Sequence, residues 1–334
     1  MRRRRIGQVA IRGLTVQVGR MARLLGSAMA VLVLVSVASF WLTNLLPGDP
    51  ATSLLPPGSP PEATAQLRAE LRLDDPVPAR FIHWAARVAQ GDLGTSYRTG
   101  EPVVDVLRRA LLVTGELVVL VQLFALALGV AVGVASARYA GGWFDRLAQA
   151  AAFGAMAVPG FVVALVLLLV FAVRLHWFPA VGFVHLTDDP IENLRSMVMP
   201  TVTLGLSLAA RYARLVRAEM ITTLQGNHIL LARAMGIPER RIHVRHALRQ
   251  SSFSLLTVFG LECGLLLGGA VVVERVFAVP GLGMLIVESV SRREYLIIQG
   301  AVLLVGTVFV VAGLATDVAH SLLDPRIRVR GAAT

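Results

Sequence analysis

Lysine is missing from this sequence, and charge of either sign is scarce. All 32 basic residues are Arg, and charged residues make up only 16% of the 334 positions, whereas a typical soluble domain contains about 25%. Without Lys the chain cannot form the phosphate-binding loop whose Lys contacts nucleotide phosphates, nor a Schiff base with a carbonyl substrate. A standard ATPase and Schiff-base catalysis are therefore excluded, and the low charge argues against a soluble globular protein.

Cysteine is almost missing as well. Cys263 is the single one, which excludes an intramolecular disulfide and a cysteine-based zinc site. The seven His residues are not spaced as metal ligands, and neither a His-Glu-x-x-His nor a Gly-x-Ser-x-Gly motif occurs. The sequence therefore predicts no catalytic residue and no metal site.

Long apolar runs are what the chain has in abundance, since 55% of its residues are hydrophobic. A membrane-crossing helix needs about 20 apolar residues. The fourth run must extend past Arg211 to span, and Pro159-Gly160 is expected to kink the third. The pattern predicts an all-α membrane protein with six transmembrane helices, within segments 24–46, 110–137, 147–173, 196–210, 251–273 and 295–316.

The net charge of +11 has two interpretations. One is nucleic-acid binding. The other is membrane topology, because Arg collects in the short cytoplasmic loops of membrane proteins. With the N-terminus inside, the inner segments hold 20 of the 32 Arg residues. We therefore expect both termini in the cytoplasm and no nucleic-acid partner.

The stretch 47–110 is predicted to be an external helical subdomain. Ser59 is a candidate N-cap, followed by Pro in the first turn. A short helix to about Leu73 and another from about Pro78 to Ala89 are expected.

The polar segment 226–250, between the fourth and fifth apolar runs, is predicted to be a helix, a break and a second helix. Gly236 suits the end of the first helix, because it reaches positive φ without strain, and Pro238 suits the first turn of the next. Ala232 and Ala234 flank a surface of little bulk. Three interpretations are a DNA-binding helix-turn-helix, a plain positive-inside loop, and a docking element that inserts into a groove on a soluble partner.

This segment resembles the EAA coupling loop of ABC importer permeases for oligopeptides, dipeptides and nickel, of the B-type membrane subunit. The residues that carry the resemblance are Ala-Arg-Ala-Met-Gly-Ile at 232–237, Glu-Arg-Arg at 239–241 and Arg-His-Ala-Leu-Arg at 245–249. Further family-like pieces lie at 46–50, 90–97, 274–277, 280–283 and 323–326. The sequence departs from the family where Leu230 and Leu231 stand at commonly polar positions, and where Ser254 replaces an expected Pro.

The resemblance implies the type I ABC importer permease fold, in the inner (plasma) membrane. It divides the chain into a cytoplasmic N-terminus 1–23, a first helix 24–46, the external subdomain 47–110, a permease core 111–320 with the coupling loop 226–250, and a cytoplasmic tail 321–334. The residues to which it assigns ATPase coupling are Ala232, Ala234, Gly236, Ile237, Glu239, Arg240 and Arg241.

The same resemblance implies a non-catalytic subunit that moves peptides inward by alternating access. Its expected partners are a second homologous permease, giving a heterodimer, two cytoplasmic ATPase subunits, and an extracytoplasmic substrate-binding protein. The chain itself is expected to bind no cofactor, since ATP and Mg are used by the ATPase subunits. Nickel or another small solute is the alternative substrate within the family.

Two acids lie inside apolar runs, where a charged side chain costs about 2.5–3.5 kcal/mol at a helix centre. Glu116 and Glu262 could line the substrate route. Alternatively, Glu116 is solvated near the outer interface, and Glu262 is a buried structural group. Small residues at four-residue spacing let helices approach closely, within this chain or against a second permease; they are Gly129 and Gly133, and Gly260, Gly264 and Gly268.

Two other classes of protein would need features that differ from those of a transporter subunit. A membrane-embedded protease needs a metal, Ser or Asp constellation, and none is found. A secondary transporter driven by an ion gradient would carry more intramembrane ionisable residues and would work without an ATPase.

Overall fold

The computed structural model describes residues 26–41, 43, 59–70 and 73–323. Over these ranges the chain is helical, and the single β feature is an isolated bridge between Thr95 and Pro102. The all-helical class is therefore confirmed for this part of the chain. The predicted N-terminal segment 1–23, both ends of the first predicted helix, and the tail beyond 323 lie outside the described residues.

Twelve helices follow one another in the described ranges. They are α1 (Gly26–Trp41), α2 (Pro61–Glu70), α3 (Val77–Ala89), α4 (Val103–Arg138), α5 (Trp143–Ala157), α6 (Gly160–Leu167), α7 (Pro190–Leu224), α8 (Asn227–Ala234), α9 (Glu239–Gly269), α10 (Val271–Phe277), α11 (Leu282–Arg292) and α12 (Tyr295–Leu323). A π-helical segment extends α6 to Arg174, and another lies within α9 at Ile242–Ala247.

The six predicted apolar runs do not all appear as single long apolar helices. Within the described part of the chain, three helices are long and apolar enough to cross a membrane, namely α4, α9 and α12. α1 is shorter in its described part. The fourth run lies in α7, which is long but is not among the candidate spans, because Ser, Thr and Pro200 dilute its apolar residues and Arg211 follows.

The third run is broken rather than gently kinked. α5 ends at Ala157 and α6 begins at Gly160, and the two helices are bent by 99°. Pro159 precedes α6, and Val158 before it is extended (φ −80°, ψ 125°). A residue before proline is pushed out of the helical conformation, so the helix cannot continue through this point. Together the pair counts as one possible span.

The described residues form two compact units. The first contains the described residues up to 112, residues 285–314 and residues 321–323. Its α1 and α3 meet through an aromatic cluster of Phe40, Trp41, Phe81 and Trp84, with ring centroids 5.4–6.1 Å apart. α3 was expected at about this position. The described part of α2 is Pro61–Glu70, and Leu73, where the sequence predicted its end, lies in a turn.

The second unit contains residues 113–284 and 315–320. α7 is its central helix and packs against α5, α6, α9 and α10. Sixteen of its 35 residues are buried, among them Leu208, Tyr212, Val216 and Met220. The hydrophobic core of this unit therefore surrounds the helix that leads into the segment 226–250.

Candidate functional site

The chain between α7 and α9 forms a short separate helix, α8. α7 ends at Leu224, and Gly226 has an extended backbone (φ −71°, ψ 147°). The carbonyl of Gly226 accepts a hydrogen bond from the backbone N–H of Ile229 at 2.9 Å. α8 is therefore not a continuation of α7, and its eight residues start a new direction.

α8 ends at the glycine that the sequence indicated. Gly236 has φ +73°, in the left-handed region that glycine reaches without strain. Its N–H donates to the carbonyl of Arg233 at 2.9 Å, and the N–H of Ile237 donates to the carbonyl of Ala232 at 3.1 Å. This pair of bonds is the Schellman motif, so the break after α8 has a defined geometry.

The inner side of α8 packs on the start of α9. Ile229 and Ala232 of α8 and Ile242 of α9 are buried together, and Leu224 and Ile237 pack partly buried against them. The segment thus has a small hydrophobic core of its own. Because this core joins α7, α8 and α9, α8 is held against the ends of the two longer helices.

An ion pair closes the same turn on the outside. Arg233 donates from Nε to Glu239 Oε1 at 2.7 Å and from Nη2 to Glu239 Oε2 at 3.4 Å. The hydrogen bond to Glu239 raises the pKa of the Arg233 guanidinium above its usual value, so Arg233 stays charged. Both side chains are exposed, so the ion pair contributes little to the stability of the fold. It connects the last turn of α8 to the first residue of α9.

The outer side of α8 is apolar and exposed. Leu230, Leu231 and Met235 have 57%, 61% and 64% of their surface accessible. Ala234, Arg240 and Arg241 are exposed beside them. A large exposed apolar group next to cations is typical of a surface that a partner covers. We call Leu230, Leu231, Ala234 and Met235 the outer face of α8.

The structure corrects the expected position of Ala232. The sequence interpretation put Ala232 and Ala234 together on a surface of little bulk, yet Ala232 is only 4% exposed. The two residues are two positions apart, which puts them on different sides of a helix. Ala232 therefore belongs to the small core with Ile237, and only Ala234 can touch a partner directly.

Two polar contacts fasten the C-terminal half of α7 to its neighbours, and the sequence interpretation missed both. Arg217 donates from Nε and Nη2 to the two oxygens of Asp145 at 2.6 and 2.7 Å, and the N–H of Gly141 donates to Asp145 Oδ2 at 2.8 Å. Asp145 is the only acid in the basic segment 136–146. This isolated acid was the sequence feature that could have indicated an ion pair with an Arg elsewhere in the chain.

The second contact joins α7 to α9. Ser254 Oγ donates to Glu219 Oε1 at 2.8 Å. Ser254 is the position at which the family resemblance led us to expect Pro. The hydroxyl therefore supplies a link between the two helices that carry α8, which a proline side chain cannot form.

Glu262 and Glu116, the two acids in apolar runs, have different surroundings. Glu262 accepts a hydrogen bond from Arg211 Nη2 at 3.0 Å. Glu116 is partly exposed on the side of α4 that also exposes Leu112, Val119 and Leu123. Glu116 thus lies on an outward face, whereas Glu262 is paired within the second unit.

The glycines on α4 lie against α7. A Cβ atom at Gly129 would lie 2.7 Å from Tyr212 Cβ and 2.8 Å from the carbonyl oxygen of Ala209. Gly133 has an equally close neighbour in the backbone of Ala213. These two glycines allow α4 and α7 of the same chain to approach closely.

The glycines on α9 differ from one another. Gly260 lies against Thr316 and Gly264 is buried, whereas Gly268 is exposed. The regular four-residue spacing therefore does not give the three a common neighbour.

A buried carboxylate also organises the chain after α9. Glu274 accepts from Thr114 Oγ1 at 2.7 Å and from the N–H of Met284 at 3.0 Å. Thr114 Oγ1 accepts in turn from the N–H of Leu282 at 2.7 Å. The sequence interpretation used Glu274 only as part of a motif. Its carboxylate binds the free N–H groups at the start of α11, which explains an acid at a fully buried position.

The amino-acid sequence matches a known family over most of its length. Residues 129–329 match the "binding-protein-dependent transport system inner membrane component", and residues 19–118 match the N-terminal region of the membrane component of such systems. The chain belongs to this family. It is therefore a membrane component of a transport system that depends on a binding protein.

Curated relatives agree with this assignment. A protein named as a peptide transport system permease of Brucella abortus is 35% identical over 301 residues, which cover 90% of this chain and 96% of the relative. A peptide ABC transporter permease of Sinorhizobium fredii is 36% identical over 92% of this chain and 98% of its own length. The glutathione transport system permease protein of Salmonella typhimurium is 35% identical over the same two shares.

Proposed function

We propose that this chain is the permease subunit of an ATP-driven ABC importer that moves peptides into the cytoplasm by alternating access. The observation that carries the proposal is the outer face of α8, presented between α7 and α9 in a chain of the binding-protein-dependent family. The relatives named for peptides and for glutathione, which is itself a peptide, support the substrate class.

α8 is the element through which we expect ATP hydrolysis to act. Its outer face offers Leu230, Leu231 and Met235 to a hydrophobic groove, in the manner of a helix that lies in a partner's cleft. Arg240 and Arg241 lie beside it and would meet acidic groups at the rim. Its Schellman end and small core keep α8 folded, so that movement of the partner shifts α7 and α9 instead of unfolding the contact.

The partners follow from this assignment. Two cytoplasmic ATPase subunits bind and hydrolyse ATP with Mg, so this chain is non-catalytic and binds no cofactor itself. An extracytoplasmic binding protein delivers the substrate. A second, homologous permease completes the pathway, and we propose a heterodimer.

The same assignment gives a topology. We propose six spans, in which α5 with α6 forms the bent third and α7 the fourth, and an external helical subdomain over 47–110. The excess of Arg in the segments 1–23 and 226–250 supports cytoplasmic termini and a cytoplasmic α8. The chain then lies in the plasma membrane with the outer face of α8 towards the ATPases.

The experiment reconstitutes this chain with its second permease, the ATPases and the binding protein in liposomes, and measures ATP-dependent peptide uptake. Leu231→Asp puts a charge on the outer face of α8 without entering the core. We expect uptake to fall at least about tenfold and the ATPases to be lost on purification, because a desolvated carboxylate in an apolar groove costs 1–3 kcal/mol or more.

A matched control is Ile82→Asp, which places the same charge on an exposed apolar residue of α3 in the first unit. We expect this variant to retain the ATPases. If wild type imports peptides without ATP, or if both variants retain the ATPases equally, the coupling assignment is wrong.

A further inference from the structure

Arg211 on α7 is a half-exposed cation, and the large hydrophobic side chains that α7 exposes, Ile191 and Leu194, lie at the far end of the helix. Between residues 195 and 229 the structure exposes no large hydrophobic group, whereas α4 exposes Leu112, Val119 and Leu123. Exposed apolar groups suit lipid, and a guanidinium in lipid is costly. The exposed side of α7 around Arg211 therefore faces water or protein.

Arg211 has donors to spare. One N–H group donates to Glu262 at 3.0 Å, and the guanidinium has five N–H donors in all. Within the described ranges no other hydrogen bond of Arg211 occurs. Its side chain is 43% exposed, whereas that of Glu262 is only 9% exposed. The acid is thus behind the cation, and the free donors of Arg211 are the accessible part of the pair.

The backbone behind this pair is fixed by a second set of contacts. The hydroxyl of Tyr212, next to Arg211, donates to Gln122 Oε1 at 2.8 Å. Gln122 Nε2 donates to Cys263 Sγ, next to Glu262, at 3.2 Å. These bonds join α4, α7 and α9 at the level of the ion pair. Arg211 is therefore held in place before any ligand arrives, which lowers the entropy cost of binding one.

We propose that Arg211 binds the C-terminal carboxylate of the transported peptide inside the membrane, with Glu262 holding the opposite edge of the guanidinium. The chemistry is that of an Arg fork for a carboxylate. A free divalent cation is a poor ligand here, because Arg211 already neutralises Glu262 and repels the ion. The inference rests on the proposed function and narrows its substrate class to peptides with a free carboxyl terminus.

The test uses the complete reconstituted complex and two probes. One is a random library of di-, tri- and tetrapeptides with free carboxyl termini, and the other is the same library with C-terminal amides. The measured quantity is the acid-to-amide ratio of ATP-dependent uptake, read by mass spectrometry. The binding protein contributes equally to this ratio in wild type and in variants, so a change in the ratio reports on this chain.

We expect Arg211→Gln to lower the acid-to-amide ratio about tenfold or more, the loss expected for one hydrogen bond to a charged group. The matched control is Arg214→Gln. Arg214 lies one turn further along α7 with its guanidinium 4.2 Å from the centre of the Phe153 ring, and its removal should leave the ratio unchanged. Glu262→Gln should keep the acid preference, because the cation remains.

Several outcomes overturn the proposal. These are an unchanged ratio in Arg211→Gln, equal uptake of acids and amides by wild type, or loss of the preference in Glu262→Gln alone. If Arg211→Gln does not assemble, Arg211→Lys keeps a cation with fewer donors and should give an intermediate ratio. If neither Arg211 variant assembles, the Arg211–Glu262 pair is needed for the structure, and the proposed substrate-binding role is overturned. Absence of any peptide uptake by wild type would instead reject the proposed function itself.

Discussion

α4 and α7 have almost the same length, 36 and 35 residues, but they differ in which residues they expose and bury. α4 has an uncharged, largely apolar stretch over residues 117–137 and exposes leucines and valines, so it is a candidate membrane span. α7 buries sixteen residues, exposes Arg211 and is not among the candidate spans. The comparison teaches that the central helix of a membrane bundle can be the least lipid-like, because neighbouring helices shield it.

The charged side chains of α7 and α4 also differ in their partners. On α7, Arg211 and Arg217 each have an acid on another helix, and Glu219 has Ser254. On α4, Glu116 sits on the outward face. Arg211, Arg217 and Glu219 therefore link α7 to other helices.

The largest expected difference between α4 and α7 is the cost of a new charge. On α4 the charge is placed on the exposed apolar face, which we expect to meet lipid. Leu123→Arg is expected to destabilise the chain in the membrane by about 2.5–3.5 kcal/mol, the cost of Arg near a helix centre. Ser207→Arg on α7 is the matched variant, since the neighbouring residues Phe124 and Gly205 are in contact and set the same depth. Its cost should be below about 1 kcal/mol.

The measurement for this pair is the amount of folded protein in the membrane together with unfolding in detergent. An equal cost for the two arginines would show that α4 and α7 do not differ in what they face.

The second prediction concerns the ion pair between Arg217 of α7 and Asp145 of α5. Asp145→Asn leaves Arg217 without its partner in a mostly buried position. We expect a loss of about 2–3 kcal/mol in the free energy of unfolding, less than the 3–5 kcal/mol typical of fully buried pairs, because Arg217 keeps some exposure. Denaturant unfolding in micelles measures it.

The control for Asp145→Asn is Arg214→Gln, which removes a contact with the Phe153 ring and a weak hydrogen bond to Met156 Sδ and should cost about 0.5–1 kcal/mol. Equal losses in the two variants would contradict the view that the charges of α7 act as links.

The smallest effect concerns the contact between the two helices. Gly129→Ala should cost about 1–2 kcal/mol, since its Cβ would meet the backbone of α7 at less than contact distance, and overpacking of this kind costs about 1–3 kcal/mol. Gly115→Ala on the same helix has nothing within 4 Å. It should stabilise by about 0.5–1 kcal/mol, because Ala is the better helix former.

Thermal unfolding of the two glycine variants gives the comparison directly. A stabilised Gly129→Ala protein would mean that α4 and α7 can move apart without cost.

Local features of the fold were predictable from the sequence, and pairings between distant residues were not. Gly236 has one role that depends only on backbone geometry, and the end of α8 was predicted there. Arg217 and Asp145 are 72 positions apart, and Arg211 and Glu262 are 51 apart. Periodicity indicates which face of a helix is polar, but not which distant side chain will meet it.

The candidate site shows the same limit on a smaller scale. The helix–break–helix pattern of 226–250 was predicted, whereas the burial of Ala232 depends on Ile242 arriving from the next helix. The start of α9 at Glu239, well before the predicted apolar run at 251, is likewise set by the contacts of this turn.

The small core beneath α8 has a consequence for evolution. Ile229, Ala232 and Ile242 maintain the folded shape, while Leu230, Leu231 and Met235 are free of that duty. If the outer face of α8 binds the ATPase subunit as proposed, exchanging the latter three residues alters which ATPase binds and leaves the small core intact. On this proposal, a duplicated copy of the gene could acquire a different ATPase subunit through a few substitutions. Related transporters in one cell could in this way each keep their own ATPases.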